Sequence, residues 1–343
     1  MPSAYPKNLI QPVDDRQRTL TDKFIRPHLP DLMVELKVLR TAVDRAVGVE
    51  SRRRSLRVSP HLERHAKLSS TQYCGDELSG IVEKRRRSFA PFLEEYPKGS
   101  CTGITHGVYE FLKTASDFFM QSPLTVLTNF REAGGAFRPI WGSIRNVYFQ
   151  NALQVGSHYI DVANDTVDLT KPCIEEASLE NSGFKNFETI GEYAHVRNVY
   201  MGDIHFLNRF TPALLPYRPL IFVNRNKRCV RIDPCDHLIS RAIDLDAPSV
   251  FGSLGPPIIH DLKSPKVFDF LAAPFRSFAA HDHFLEFRQI STDEFTRSIS
   301  SFIQTPRSER RIAHKTIDEK SRLINLLWSK AHMFDQIEPN LPT

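Results

Sequence analysis

Apolar residues recur along this chain with two periods. From Asp31 the run LMVELKVLRTAVDRAVGV sets Leu32, Val34, Leu36, Leu39, Val43 and Val47 at mostly helical spacings, with Asp31 after Pro30 placed to cap the first turn. Between Cys101 and Met120, Ile104, Val108, Phe111, Leu112, Ala115, Phe118 and Phe119 recur at three and four, which predicts a helix with one continuous apolar face that Pro123 ends. A last helix is predicted from Ser308 to Met333, docked by Leu326, Leu327 and Trp328.

The middle of the chain reads as strands. LTVLTNF (124–130), RNVYFQNALQV (145–155) and SHYIDVAND (157–165) are short, rich in β-branched and aromatic residues, and punctuated by Gly134, Gly135, Gly142 and Gly156. In PLIFVNRNKRCVRID (219–233) two apolar runs flank NRN, which predicts a hairpin. The stretch 243–283 is loop-rich, and no internal repeat is present.

Helices first, strands in the middle and a helix last predict an α+β fold: a central mixed or antiparallel sheet, a helical N-terminal region and a long C-terminal helix. Pro2, Pro6, Pro12, Pro27 and Pro30 mark residues 1–30 as an irregular arm. Residues 31–98, broken by Pro60, Gly75, Gly80, Pro91 and Pro97, read as a helical region packed on an α+β catalytic body over 99–343.

Composition narrows the function classes. The 343 residues are 41% hydrophobic and 25% charged, as in ordinary globular proteins. No apolar run is long enough to span a bilayer and the start has no secretory pattern, so no membrane association and a cytoplasmic location are expected. Cysteines at 74, 101, 173, 229 and 235 are too sparse for a disulfide framework. A formal charge of +5 argues against nucleic acid as a partner, although arginines and lysines clump at Arg52–Arg54 with Arg57, Lys84–Arg87, Arg225–Arg228 and Arg307–Arg311. A basic interaction or polyanion-binding protein is therefore an alternative reading, as is a protein interface built on the aromatics between Tyr193 and Phe210. GxGxxG and GxxxxGK are absent, so neither of those nucleotide-binding loops is expected.

Candidate chemistry centres on YPKGSCTGITHGVYEFL. Cys101 falls at the start of its predicted helix, where free amides and the positive dipole end favour thiolate, so its pKa is expected to fall. A base is needed, and His158 on the later strand is the first candidate, with His106 off the cysteine's helical face. Asp161, Asn164 or Asp165 would orient the imidazole. The expectation is a thiol-dependent hydrolase or acyl/amide transferase acting on a small-molecule or peptide substrate without a cofactor. Weighed against it, a lone cysteine is more often a small core residue.

Two further groupings compete. His281 and His283 with Glu286 nearby would suit iron, zinc or another divalent metal, joined by His260 or His314, though His-x-His is a common chance pattern. Cys229, Cys235 and His237 are too widely spaced for structural zinc. Asn151, Gln154, Asp161, Asp165 and Asp168 crowd two predicted strands and their ends, where they would grip hydroxyls or a cation, their ordinary role being to cap turns.

Overall fold

The computed structural model describes residues 8–46, 97, 99–114, 123–232, 235–244, 247–251, 259–260, 271 and 290–330. The fold is α+β, with the chain divided into two compact units, one of residues 1–145 and 150–186, the other of 146–149 and 187–343. The contacts thus draw a different division from the arm, helical region and single body over 99–343 read from composition.

Within the stretch 1–30 expected to be an irregular arm, the residues from Asp15 onward are helical. Helix α1 (Asp15–Leu20) is capped by Asp14, whose carboxylate accepts from the Gln17 amide. A π turn over Thr21–Ile25 and a 3₁₀ turn over Arg26–His28 lead directly into α2 (Leu29–Ala46). Pro27 and Pro30 stand in first turns, where the missing N–H costs nothing, so they open helices instead of breaking them. Helices α3 (Cys101–Thr114) and α4 (Thr125–Glu132) follow. The second overturns the strand expected over 124–130: Leu124, Leu127 and Phe130 are buried at helical spacing, and this packing outweighs the β preference of Thr125 and Val126.

Five strands form a sheet in the order β4-β3-β2-β1-β5: β1 (Phe137–Ile144), β2 (Tyr148–Val155), β3 (His158–Asp161), β4 (Glu175–Ser178) and β5 (Phe184–Lys185). The β2–β3 hairpin pairs Leu153 with Ile160, Gln154 with Tyr159 and Val155 with His158 around Gly156, whose φ of 58° closes the turn. Period-two alternation gives the hairpin two faces. Leu153, Val155, Ile160 and Val162 join the large core with Leu36, Leu39 and Val43 of α2, Ile104 and Val108 of α3, and Phe130 of α4. Tyr159, Ala152, Ile140 and Phe184 form a smaller cluster on the other side.

The second unit carries its own sheet, β8-β7-β6-β9, made of β6 (Asp203–Leu207), β7 (Leu220–Asn224), β8 (Cys229–Ile232) and β9 (Ile259–His260). The expected hairpin is β7–β8, and only β9 runs parallel to its neighbour. Helix α5 (Ile190–Met201) is capped by Thr189 and stopped by Gly202 at φ 69°. Helices α6 (Asp236–Asp244), α7 (Thr292–Gln304) and α8 (Arg307–Lys330) follow, with a single helical turn over Ala247–Val250 after α6. A reciprocal box between Ser291 and Glu294 starts α7, a signal legible in STDE that the sequence reading passed over. The long terminal helix stands where expected, with the Asn325 side chain accepting from the Ile232 amide at 2.7 Å and tying α8 to β8. Among the described residues no helix is long and apolar enough to cross a membrane.

Candidate functional site around Cys101

The start of α3 is fixed by backbone contacts on both sides. The Gly99 amide donates to the Thr166 carbonyl at 2.9 Å, and the Ser100 amide to Pro97 at 2.9 Å. One turn into the helix, the Thr105 hydroxyl donates to the Asn151 carbonyl at 3.1 Å, so α3 leans on the middle of β2. Cys101 therefore opens the helix, as expected, at a partly exposed position beside exposed Thr102.

The partner of the thiol is Asn151. Its carboxamide Nδ2 donates to Cys101 Sγ at 3.4 Å and to Thr102 Oγ1 at 3.0 Å, from a side chain almost wholly buried on β2. Burial pushes the Cys101 thiol up, and the Asp161 charge pushes the same way; the hydrogen bonds from Asn151 and Thr102 only reduce the shift. The expected fall in thiol pKa is thus overturned: at this helix start desolvation exceeds the dipole and the amides.

His158 does not serve Cys101. Its Nδ1 lies 2.5 Å from Glu176 Oε1, a diagonal neighbour across the β3–β4 pairing, where Ile160 faces Glu176 and His158 faces Ser178. Val155, opposite His158, is four residues along β2 from Asn151, roughly 13 Å at strand rise. The imidazole's Nε2 is buried without a hydrogen-bond partner among the described residues. The expected Cys101–His158 pair is therefore not formed: the register sets Cys101 beside Asn151 in the middle of β2 and His158 opposite Val155 at its end.

The acidic strand end is committed to the fold. Asp165 takes a 3.0 Å bond from Nη1 of Arg40, a fully buried cation on α2 that also reaches the Val162 carbonyl at 2.8 Å and Asp44 at 2.8 Å. The Asn164 side-chain Nδ2 donates to the Pro172 carbonyl at 3.0 Å, and Asp168 holds the Thr170 turn by accepting from the Thr170 backbone and hydroxyl. Neither Asn164 nor Asp165 orients an imidazole, and Gln154 ties down the Gln11 backbone in both directions.

Asp161 is the exception in its chemistry. It accepts from the Ala163 amide at 2.8 Å, from Gln150 Nε2 and from Tyr159 Oη at 3.4 Å, with 1% of its surface exposed. Burial pushes its carboxyl up to about 7, against the lowering effect of Ala163 and Gln150. Burial and the neighbouring Asp161 charge also push the Tyr159 hydroxyl upward. Sequence reasoning placed Asn151 among residues gripping hydroxyls and gave Gln150, Glu176 and Arg40 no role. Their pairings join positions 11 to 125 residues apart, and no local motif announces them.

The competing sites are less visible. His281, His283 and Glu286 lie outside the described residues, as do Arg52–Arg54, Arg57 and Lys84–Arg87. Among the described residues no group of three or more His, Cys, Asp or Glu is gathered to hold a metal. Arg310 donates to the Ala242 carbonyl at 2.9 Å and lies over the Phe302 ring, so it serves the packing of α8. Most of the aromatic stretch over 193–210 is turned inward: Tyr193, His205, Phe206 and Phe210 are buried, Tyr193 packs on Phe149, Phe187 and His205, Tyr200 is half-buried and His195 is exposed. No protein-family model matches the chain, and no curated protein and no solved structure matches it either.

Proposed function

We propose that Cys101 is the nucleophile of a thiol-dependent hydrolase or acyl transferase, with Asn151 as its working partner. The observation that carries this reading is the buried Asn151 carboxamide donating at 3.4 Å to the thiol of Cys101, a residue that is itself partly exposed. A side-chain amide and the first amides of a helix are donors of the kind a tetrahedral oxyanion needs, and the Asn151 carboxamide lies within hydrogen-bond reach of the thiol that would attack. In the resting protein burial keeps the thiol protonated, so attack is timed to substrate binding rather than to a standing thiolate.

The test is alkylation of the folded protein by iodoacetamide as a function of pH, resolved by peptide mass analysis. The reading expects Cys101 to react in the folded state, with a midpoint above the ordinary thiol range. Protection of Cys101 until the protein unfolds would end it.

A further inference from the structure

We infer that Thr105 is a positioning residue for Cys101: its hydroxyl ties α3 to the strand that presents the Asn151 carboxamide to the thiol. This rests on Cys101 being the nucleophile, as proposed above, and deepens it by naming what holds the thiol and its partner together.

Three side chains of α3 meet Asn151. Cys101 Sγ and Thr102 Oγ1 accept from its carboxamide nitrogen at 3.4 and 3.0 Å, so the amide group is held at two points. Thr105 takes the same residue by its main chain, donating from Oγ1 to the Asn151 carbonyl at 3.1 Å. Residues four apart on a helix share a face, which sets Thr105 one turn along from Cys101 on the side turned to β2. Thr105 is completely buried and Asn151 almost so, and Ile104 and Val108 anchor that turn of α3 in the large core. A threonine inside a helix commonly turns its hydroxyl back to the carbonyl four residues earlier. This one gives its single proton to another element, and so ties α3 to β2.

The tie matters because the contact it supports is weak by itself. Sulfur is a poor acceptor, and the other hold on the carboxamide is Thr102, an exposed side chain. With the Asn151 main chain bound to Thr105, the carboxamide starts from a fixed point one helical turn from the thiol. Without that bond, the carbonyl loses a buried donor and β2 is free to shift against α3. The Asn151 hydrogen bond favours the ionised thiol against the burial that opposes it, so any loosening of the tie is read directly at the sulfur.

The test is the pH profile of Cys101 alkylation by iodoacetamide in the folded full-length chain, for the wild type, Thr105→Val, Thr105→Ser, Asn151→Ala and the Thr105→Val, Asn151→Ala double variant. Asn151→Ala should raise the midpoint by about one pH unit, the worth of one hydrogen bond to a charged group, and Thr105→Val by at least about half of that. Thr105→Ser keeps the hydroxyl and loses a methyl group, so it should hold the wild-type midpoint even where urea unfolding shows it less stable. In the Asn151→Ala background Thr105→Val should add no shift, because the hydroxyl acts through that carboxamide. An unchanged midpoint in Thr105→Val, an equal rise in Thr105→Ser, or the same rise with and without the Asn151 side chain overturns the positioning inference alone. Should Thr105→Val not fold, Thr105→Ala set against Thr105→Ser decides by the same criteria. Protection of Cys101 in the folded wild type removes the nucleophile reading and this inference with it.

Discussion

Arg40→Ala is expected to cost about 4 kcal/mol of stability in the first unit. The guanidinium is completely buried and binds Asp44, the Val162 carbonyl and Asp165, whose own side chain is 2% exposed. Truncation would leave the Asp165 carboxylate buried without its cation, and breaking a buried pair from one side typically costs about 3–5 kcal/mol because the remaining charge stays desolvated. Removing both charges should cost much less: Arg40→Met with Asp165→Leu is expected to recover most of the loss, a coupling of at least about 2 kcal/mol. The chain has two tryptophans, so in a Trp328→Phe background the emission of Trp141 on β1 reports the first unit during urea unfolding. A loss below about 1 kcal/mol for Arg40→Ala would refute the reasoning. So would a double variant as unstable as the single one, since the cost would then lie in lost volume rather than in the stranded charge.

Three other outcomes follow from the same geometry. The Asp161 carboxyl has a folded-state pKa of about 7 against 3.8 for the free group. The stability it contributes is therefore full below pH 3.8 and lost as pH rises through 7, a slope of up to ~1.4 kcal/mol per unit and about 4 kcal/mol in all, which Asp161→Asn should flatten in urea midpoints measured across that window. Asn151→His sets an imidazole beside Sγ and should lower the alkylation midpoint of Cys101 by at least about one pH unit; an unchanged midpoint would show that position 151 does not govern the thiol. Gly156→Ala would put a Cβ 2.0 Å from Thr21 Oγ1 at a φ of 58°, and Thr21 is pinned by bonds to Gln17 and Ser157, so a loss of about 2 kcal/mol or more is expected by thermal or urea unfolding.

What the sequence made legible is what short-range physics controls. The three-and-four spacing of Ile104, Val108 and Phe111 marked α3, β-branched and aromatic content marked strands β2 and β3, and the apolar runs on either side of NRN marked the β7–β8 hairpin. The α+β class follows from their order. Two errors share one cause, that a local signal was read without its position: Pro27 and Pro30 break helices only in the interior, and Thr125 and Val126 favour strands only where Leu127 and Phe130 have no core to fill. The position of Cys101 at a helix start was legible for the same reason as the helix. Its partner was not, since Asn151 and His158 lie on one hairpin and only the register decides which end meets α3.

The same contrast governs the chemistry at Cys101. A helix N-terminus is worth about 0.3–1 kcal/mol to a negative charge in exposed settings, less than one pKa unit, whereas burial shifts a group by as much as 3–5 units. Position at a helix start therefore predicts thiolate only where water still reaches the sulfur. Here Cys101 is only partly exposed and packs against the large core, and desolvation is the largest influence on the thiol. On the proposed reading the resting thiol is therefore neutral, and the alkylation midpoint of Cys101 is the measurement that tells burial from dipole: a midpoint above the ordinary thiol range follows from burial, one below it from the helix start.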